Sequence, residues 1–162
     1  MSLPGNEFLI QMHAGPRFYI GVDERGIILP FNVIALPGGT AAPKWKIQNF
    51  GESRYVITQG ALGTRAEGAR VVALKTQTPL QWQLTWFPQQ GPHCYMITDG
   101  YPGPTQGFAW TVEPDTPYGR VVLKDVGPFA PELPPQEALF NLVHVPEAKA
   151  EGKAEAEAAP AA

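Results

Sequence analysis

Cysteine is nearly missing from this chain: Cys94 is the only one in 162 residues, so no disulfide can form within it. That suits a reducing compartment, or a fold that needs no covalent staple. The start, Met1-Ser2-Leu3-Pro4-Gly5-Asn6, lacks the basic residues and apolar run of a signal peptide, and a cytoplasmic location is expected. No apolar stretch approaches the roughly 20 residues of a membrane-crossing helix, so no membrane partner is expected. Positive charge is sparse as well. The formal net charge is −3, of which Glu147, Glu151, Glu155 and Glu157 against Lys149 and Lys153 leave −2 near the carboxyl end. With a nearly neutral body and no basic stripe, nucleic acid is not expected as a partner.

Catalytic inventory is equally thin. Only Ser2 and Ser53 exist, and neither lies in a nucleophile elbow. His93 adjoins Cys94 in a strand-like segment, so the two side chains face opposite ways and Cys94 reads as a buried structural thiol. His13, His93 and His144 are far apart, with no cysteine pair to complete a metal site, so neither metal nor cofactor is implied. The acid pairs Asp23/Glu24 and Glu113/Asp115 read as solvated. Gly60-Ala61-Leu62-Gly63-Thr64 lacks the lysine and following helix of a phosphate loop. The chain does not read as an enzyme.

What is abundant is punctuation: 18 prolines and 17 glycines, without a collagen-like period, imply many turns. Between them, three short apolar phrases recur in order three times. Phe8-Leu9-Ile10 returns as Tyr55-Val56-Ile57-Thr58 and Tyr95-Met96-Ile97-Thr98. Asn32-Val33-Ile34-Ala35-Leu36 returns as Arg70-Val71-Val72-Ala73-Leu74 and Arg120-Val121-Val122-Leu123-Lys124. Trp45-Lys46-Ile47 returns as Trp82-Gln83-Leu84 and Phe140-Asn141-Leu142. The phrases are β-branched and aromatic, as strands require. A further strand per unit is supplied by Phe18–Gly21, weakly by Leu62–Ala66, and by Gly107–Val112.

Three repeats of four strands cannot be buried by one open layer. The spacing predicts an all-β protein, a β-trefoil whose barrel is closed by three hairpins, over residues 1–145. Trp45, Trp82 and Phe140 should then sit at equivalent core positions. Residues 146–162 are Ala- and Glu-rich with almost nothing apolar to dock, and a disordered tail is expected. A monomer is expected.

With a shared scaffold, function belongs in unequal loops. Asp23-Glu24-Arg25-Gly26-Ile27-Ile28-Leu29-Pro30 presents one long cationic side chain, with Pro30 restraining the far end. A rigid loop offering a single Arg matches what a trypsin-like protease binds, because its specificity pocket carries a buried carboxylate that pairs with guanidinium bidentately. On this reading Glu24, Arg25, Gly26 and Ile27 are the protease-binding residues.

Asp23 to Pro30, Ala35-Leu36-Pro37-Gly38-Gly39 and Pro43-Lys44-Trp45, followed by Trp110-Thr111-Val112-Glu113-Pro114 and Leu133 to Val143, resemble the mushroom β-trefoil serine protease inhibitors of the cospin type. The resemblance spans about residues 6–145 and implies trypsin inhibition through the loop between the second and third strands. Arg25–Gly26 would be the reactive bond, in a role of defence against feeders or control of endogenous proteases. Where that family tends to place Ser after the Arg, this chain has Gly26, which leaves Arg recognition intact and softens the loop.

Related trefoils act through other loops. Thr64 and Arg65 mark a second candidate, read as a loop after the fifth strand. The Gly15-Pro16-Arg17 turn with the loop after Leu36 suggests occlusion of a papain-like cleft. The competing class is a carbohydrate-binding trefoil lectin, but Trp45 and Trp82 are preceded two residues earlier by Pro43 and Leu80, not the Gln such lectins carry.

Overall fold

Among the described residues, twelve strands are shared between a barrel and a cap. The computed structural model describes residues 6–14, 17–23, 25, 30–37, 41–51, 54–76, 79–99, 108–112, 118–126 and 134–145. The strands are β1 (Glu7–Met12), β2 (Tyr19–Val22), β3 (Phe31–Leu36), β4 (Trp45–Asn49), β5 (Arg54–Gln59) and β6 (Leu62–Glu67). They continue as β7 (Arg70–Leu74), β8 (Gln81–Trp86), β9 (Cys94–Thr98), β10 (Phe108–Thr111), β11 (Val122–Asp125) and β12 (Leu139–His144). A 3₁₀ turn, Gln136–Ala138, leads into β12. The expected tail, residues 146–162, lies outside the described residues.

Six strands form a closed ring. β1 pairs with β4, β4 with β5, β5 with β8, β8 with β9, β9 with β12, and β12 returns to β1. The remaining six make the hairpins β2–β3, β6–β7 and β10–β11, each tied to the barrel through its first strand. The hairpins also meet each other: β3 pairs with β7, β7 with β11, and Ile34 bridges Arg120. This is the β-trefoil, and closure leaves no barrel edge open to a stray strand.

Alternation explains the ring. In β1, Phe8, Ile10 and Met12 point inward while Glu7, Leu9 and Gln11 are partly exposed. In β4, Trp45 and Ile47 are buried while Lys46 and Gln48 face water. Trp45, Trp82 and Phe140 are all fully buried at matching places. They share one core with Ile57, Ile97 and Trp110. Each large side chain so buried stabilises the fold by roughly 1.5–3 kcal/mol in transfer terms.

Equivalent valines of the three repeats meet where the hairpins converge. Val121 N–H donates to the Val33 carbonyl at 2.7 Å, and Val71 N–H to the Val121 carbonyl at 3.0 Å. All three valines are completely buried. The repeats therefore fuse into one rigid cap, and what differs between them is the connections.

Candidate functional site

The same hairpin is closed differently in successive repeats. In the second, Gly68-Ala69 alone joins β6 to β7, with Gly68 at φ 62°, the left-handed conformation such a tight turn requires. In the first, residues 23–30 separate β2 from β3. A two-residue turn suffices for the fold, so the longer connection answers to something else.

Arg25 is its one described interior residue, with a side chain 60% exposed. Its Nε donates to Asp23 Oδ1 at 2.8 Å and its Nη2 to Asp23 Oδ2 at 3.1 Å, a bidentate fork. The Arg25 backbone N–H donates to the same Asp23 Oδ1 at 3.1 Å. Asp23, only 19% exposed, thus fixes both the main chain and the side chain of Arg25. Hydrogen bonding from Arg25, partly opposed by burial, holds the Asp23 carboxyl below its ordinary range, and the same bonds raise the guanidinium.

Over a face of the guanidinium lies the ring of Tyr118, 4.0 Å from Cζ to centroid. Tyr118 belongs to the third repeat. Its N–H donates to the Ala35 carbonyl at 2.7 Å, and Ala35 N–H donates to the Gly119 carbonyl at 2.8 Å, so the segment is clipped to β3. Tyr118 adopts φ 62°, a left-handed backbone that is uncommon outside glycine. Beside the pair is an apolar-walled cleft of about 360 Å³, formed by Val22, Ile34, Leu36 and Pro43 with Asp23, Arg25 and Tyr118 at its rim. Gly21 permits that wall: a Cβ there would stand 2.7 Å from Leu36 Cδ1 and 3.0 Å from Pro43 Cγ.

The structure brings Arg25 together with Asp23 and Tyr118, while Glu24, Gly26 and Ile27 lie outside the described residues. Asp23 is not the solvated acid expected from sequence. Its i, i+2 spacing to Arg25 around a turn was the available signal. Tyr118 could not be found that way, because it arrives from another repeat.

The second candidate requires correction. Thr64 and Arg65 are not in a loop but in the middle of β6, paired with Ala73 and Val72. Thr64 is fully buried; its Oγ1 donates to the Ile57 carbonyl at 2.7 Å and accepts from Trp82 Nε1 at 2.9 Å. It is a core residue, whereas Arg65 is an exposed residue on the strand's outer face. Cys94 is buried, and desolvation pushes its thiol up to about 12. Such a thiol is inert as a nucleophile. Among the described residues no group of His, Cys, Asp and Glu could hold a metal.

The closed six-stranded ring with its three hairpins defines the class: a β-trefoil. The chain belongs to the peptidase inhibitor I66 family, whose profile matches residues 1–144. Among solved structures it is similar to a proteinase inhibitor from Coprinopsis cinerea, with a TM-score of 0.72 and 16% identity over 89% of this chain and all of that one. It is also similar to a designed threefold-symmetric protein, ThreeFoil, with a TM-score of 0.60 and 16% identity over 86% of this chain and 99% of that one. No curated protein matches it in sequence. The family comprises inhibitors of peptidases, not enzymes, and its partner is a protease.

Proposed function

We propose that the protein inhibits trypsin-like serine proteases, offering Arg25 to the specificity pocket and Arg25–Gly26 as the bond held at the catalytic centre. The observation that carries this reading is the exposed Arg25, anchored by Asp23, on a connection the fold does not need. Entry into the protease exchanges one carboxylate partner, Asp23, for another at the base of the pocket. A solvent-exposed ion pair costs little to open, whereas the same fork in a desolvated pocket is strong. The Arg25 backbone N–H bond to Asp23, which need not open, and the clipped Tyr118 segment behind it limit the freedom lost on association, which favours tight binding without new area.

The test is an active-site titration of trypsin with the native protein and with Arg25→Ala and Arg25→Lys, with chymotrypsin and papain alongside. Stoichiometric loss of trypsin activity is expected for the native protein, retained in Arg25→Lys and abolished in Arg25→Ala. Undiminished inhibition by Arg25→Ala would move the contact elsewhere, with Arg65 next to be replaced.

A further inference from the structure

A second cleft, of about 350 Å³, shares no lining residue with the one beside Arg25. It lies on the outer face of the β1–β12 pair, where Gln11 stands opposite Asn141, and it is walled by the β8–β9 connection at Gln90–His93. Among the described residues its charged and titratable side chains are Arg17, His13 and His93, and none of the lining is acidic. Arg17 is exposed and makes no hydrogen bond or ion pair among the described residues. It also sits at φ 58°, a strained conformation for a side chain with a Cβ.

Three of the other polar groups are oriented by hydrogen bonds. His13 Nδ1 lies 3.2 Å from Asn141 Oδ1. A carbonyl oxygen only accepts, so Nδ1 carries a proton, and in the neutral ring Nε2 is the acceptor on the far side. With its oxygen committed, Asn141 has amide protons to donate. Gln90 Oε1 likewise accepts from Gln136 Nε2 at 3.2 Å, leaving the Gln90 amide protons for another partner. The cleft therefore offers one guanidinium without a partner among the described residues, several amide donors and two imidazoles, over an apolar margin of Pro92 and Val143.

We infer that this cleft binds an acidic monosaccharide, a ring of hydroxyls bearing one carboxylate. Arg17 takes the carboxylate through charge-assisted hydrogen bonds. The amides of Asn141, Gln90 and Gln11 donate to hydroxyl oxygens, and His13 Nε2 accepts from a hydroxyl. The volume suits one sugar ring and is generous for a bare small anion. Two independent functions then share one trefoil, protease contact at the cap connection and glycan contact on the barrel wall.

The experiment is an NMR titration of the ¹⁵N-labelled full chain with D-glucuronate, glucose and acetate. Arg17→Gly serves as the variant, because it removes the charge and relieves the left-handed backbone, so folding is not threatened. Saturable glucuronate shifts at the lining amides are expected, in the roughly millimolar range typical of weak small-ligand binding. Glucose and acetate should each bind at least about tenfold more weakly, and Arg17→Gly should lose the glucuronate response while titrating trypsin as before. Absence of saturation, an unchanged response in Arg17→Gly, or equal binding of glucose or acetate would overturn the inference.

Discussion

Trp82 Nε1 donates to Thr64 Oγ1 at 2.9 Å, and the same hydroxyl donates onward to the Ile57 carbonyl. Each repeat solves this junction between barrel and hairpin with different chemistry. In the first, Trp45 Nε1 donates to the Ile20 carbonyl at 2.8 Å, and Ile20 stands where Thr64 does in the second. In the third, the residue types change places: Phe140 takes the barrel position and Trp110 the hairpin position. Trp110 then packs edge-on against Trp82 at 5.3 Å and against Phe140 at 6.3 Å, and its buried Nε1 has no hydrogen-bond partner among the described residues. Each unit keeps one large buried aromatic at the barrel position, while the polar pairing at the junction differs.

Thr64→Val should therefore destabilise the protein although it keeps the side-chain shape. It strips the acceptor from a buried indole N–H and the donor from Ile57, and leaving buried groups unpaired costs about 1–3 kcal/mol. Urea denaturation should show the midpoint falling with the slope unchanged. A midpoint matching the native protein would mean that the hydroxyl does not bridge the two strands.

The tryptophans should also rank by their partners. Phenylalanine at 45 or 82 loses both indole volume and a hydrogen bond, whereas Trp110→Phe loses volume alone and relieves an unpaired donor. Trp110→Phe should thus be the mildest of the three by on the order of 1 kcal/mol, the net worth of one such bond. The three melts measured side by side decide it, and Trp110→Phe as the most damaging would refute the assignment.

Most of the fold was legible in sequence because strand periodicity and repeat order are local signals. Trp45, Trp82 and Phe140 align by eye and meet in the core. The junctions were harder. Thr64 lies in a segment with Arg65, Glu67 and Gly68 that reads as polar loop, yet pairing with β7 makes it a strand and the hydroxyl is consumed internally. Arg25 was legible as an exposed cation, but Tyr118 above it was not, since no pattern within 93 residues of chain announces a contact made by the threefold cap. The cleft around His13 was invisible for the same reason: its walls come from β1, β12 and the β8–β9 connection.

Cys94 should be silent to thiol reagents until the protein unfolds. Desolvation moves it from 9.0 to about 12, which lowers the thiolate fraction roughly a thousandfold at any pH below both values, before steric protection is counted. Reaction with a chromogenic disulfide at pH 8 should be negligible in buffer and complete in denaturant. Rapid labelling of the native protein would show that the β9 segment opens far more often than its complete burial implies.

Acidification should release Arg25 from Asp23 without unfolding the barrel. The Asp23 carboxyl is held below its ordinary value by the Arg25 hydrogen bonds, so its ionised, paired form is the one the native loop favours. The sign follows from linkage: a depressed native value means that the pairing contributes fully above the unfolded-chain value of about 3.9, and is lost as pH falls through the native one. The Arg25 Nε–H resonance reports the bond directly, since Nε donates to Asp23 Oδ1 at 2.8 Å. It should hold a constant, distinctive shift above about pH 5 and move toward that of a solvated arginine only below about 3.9. In Asp23→Asn it should start near the solvated position and stay flat over the same range. A transition centred at or above the ordinary aspartate value would mean that the pair is not formed in solution, and that the loop meets the protease without the anchor described here.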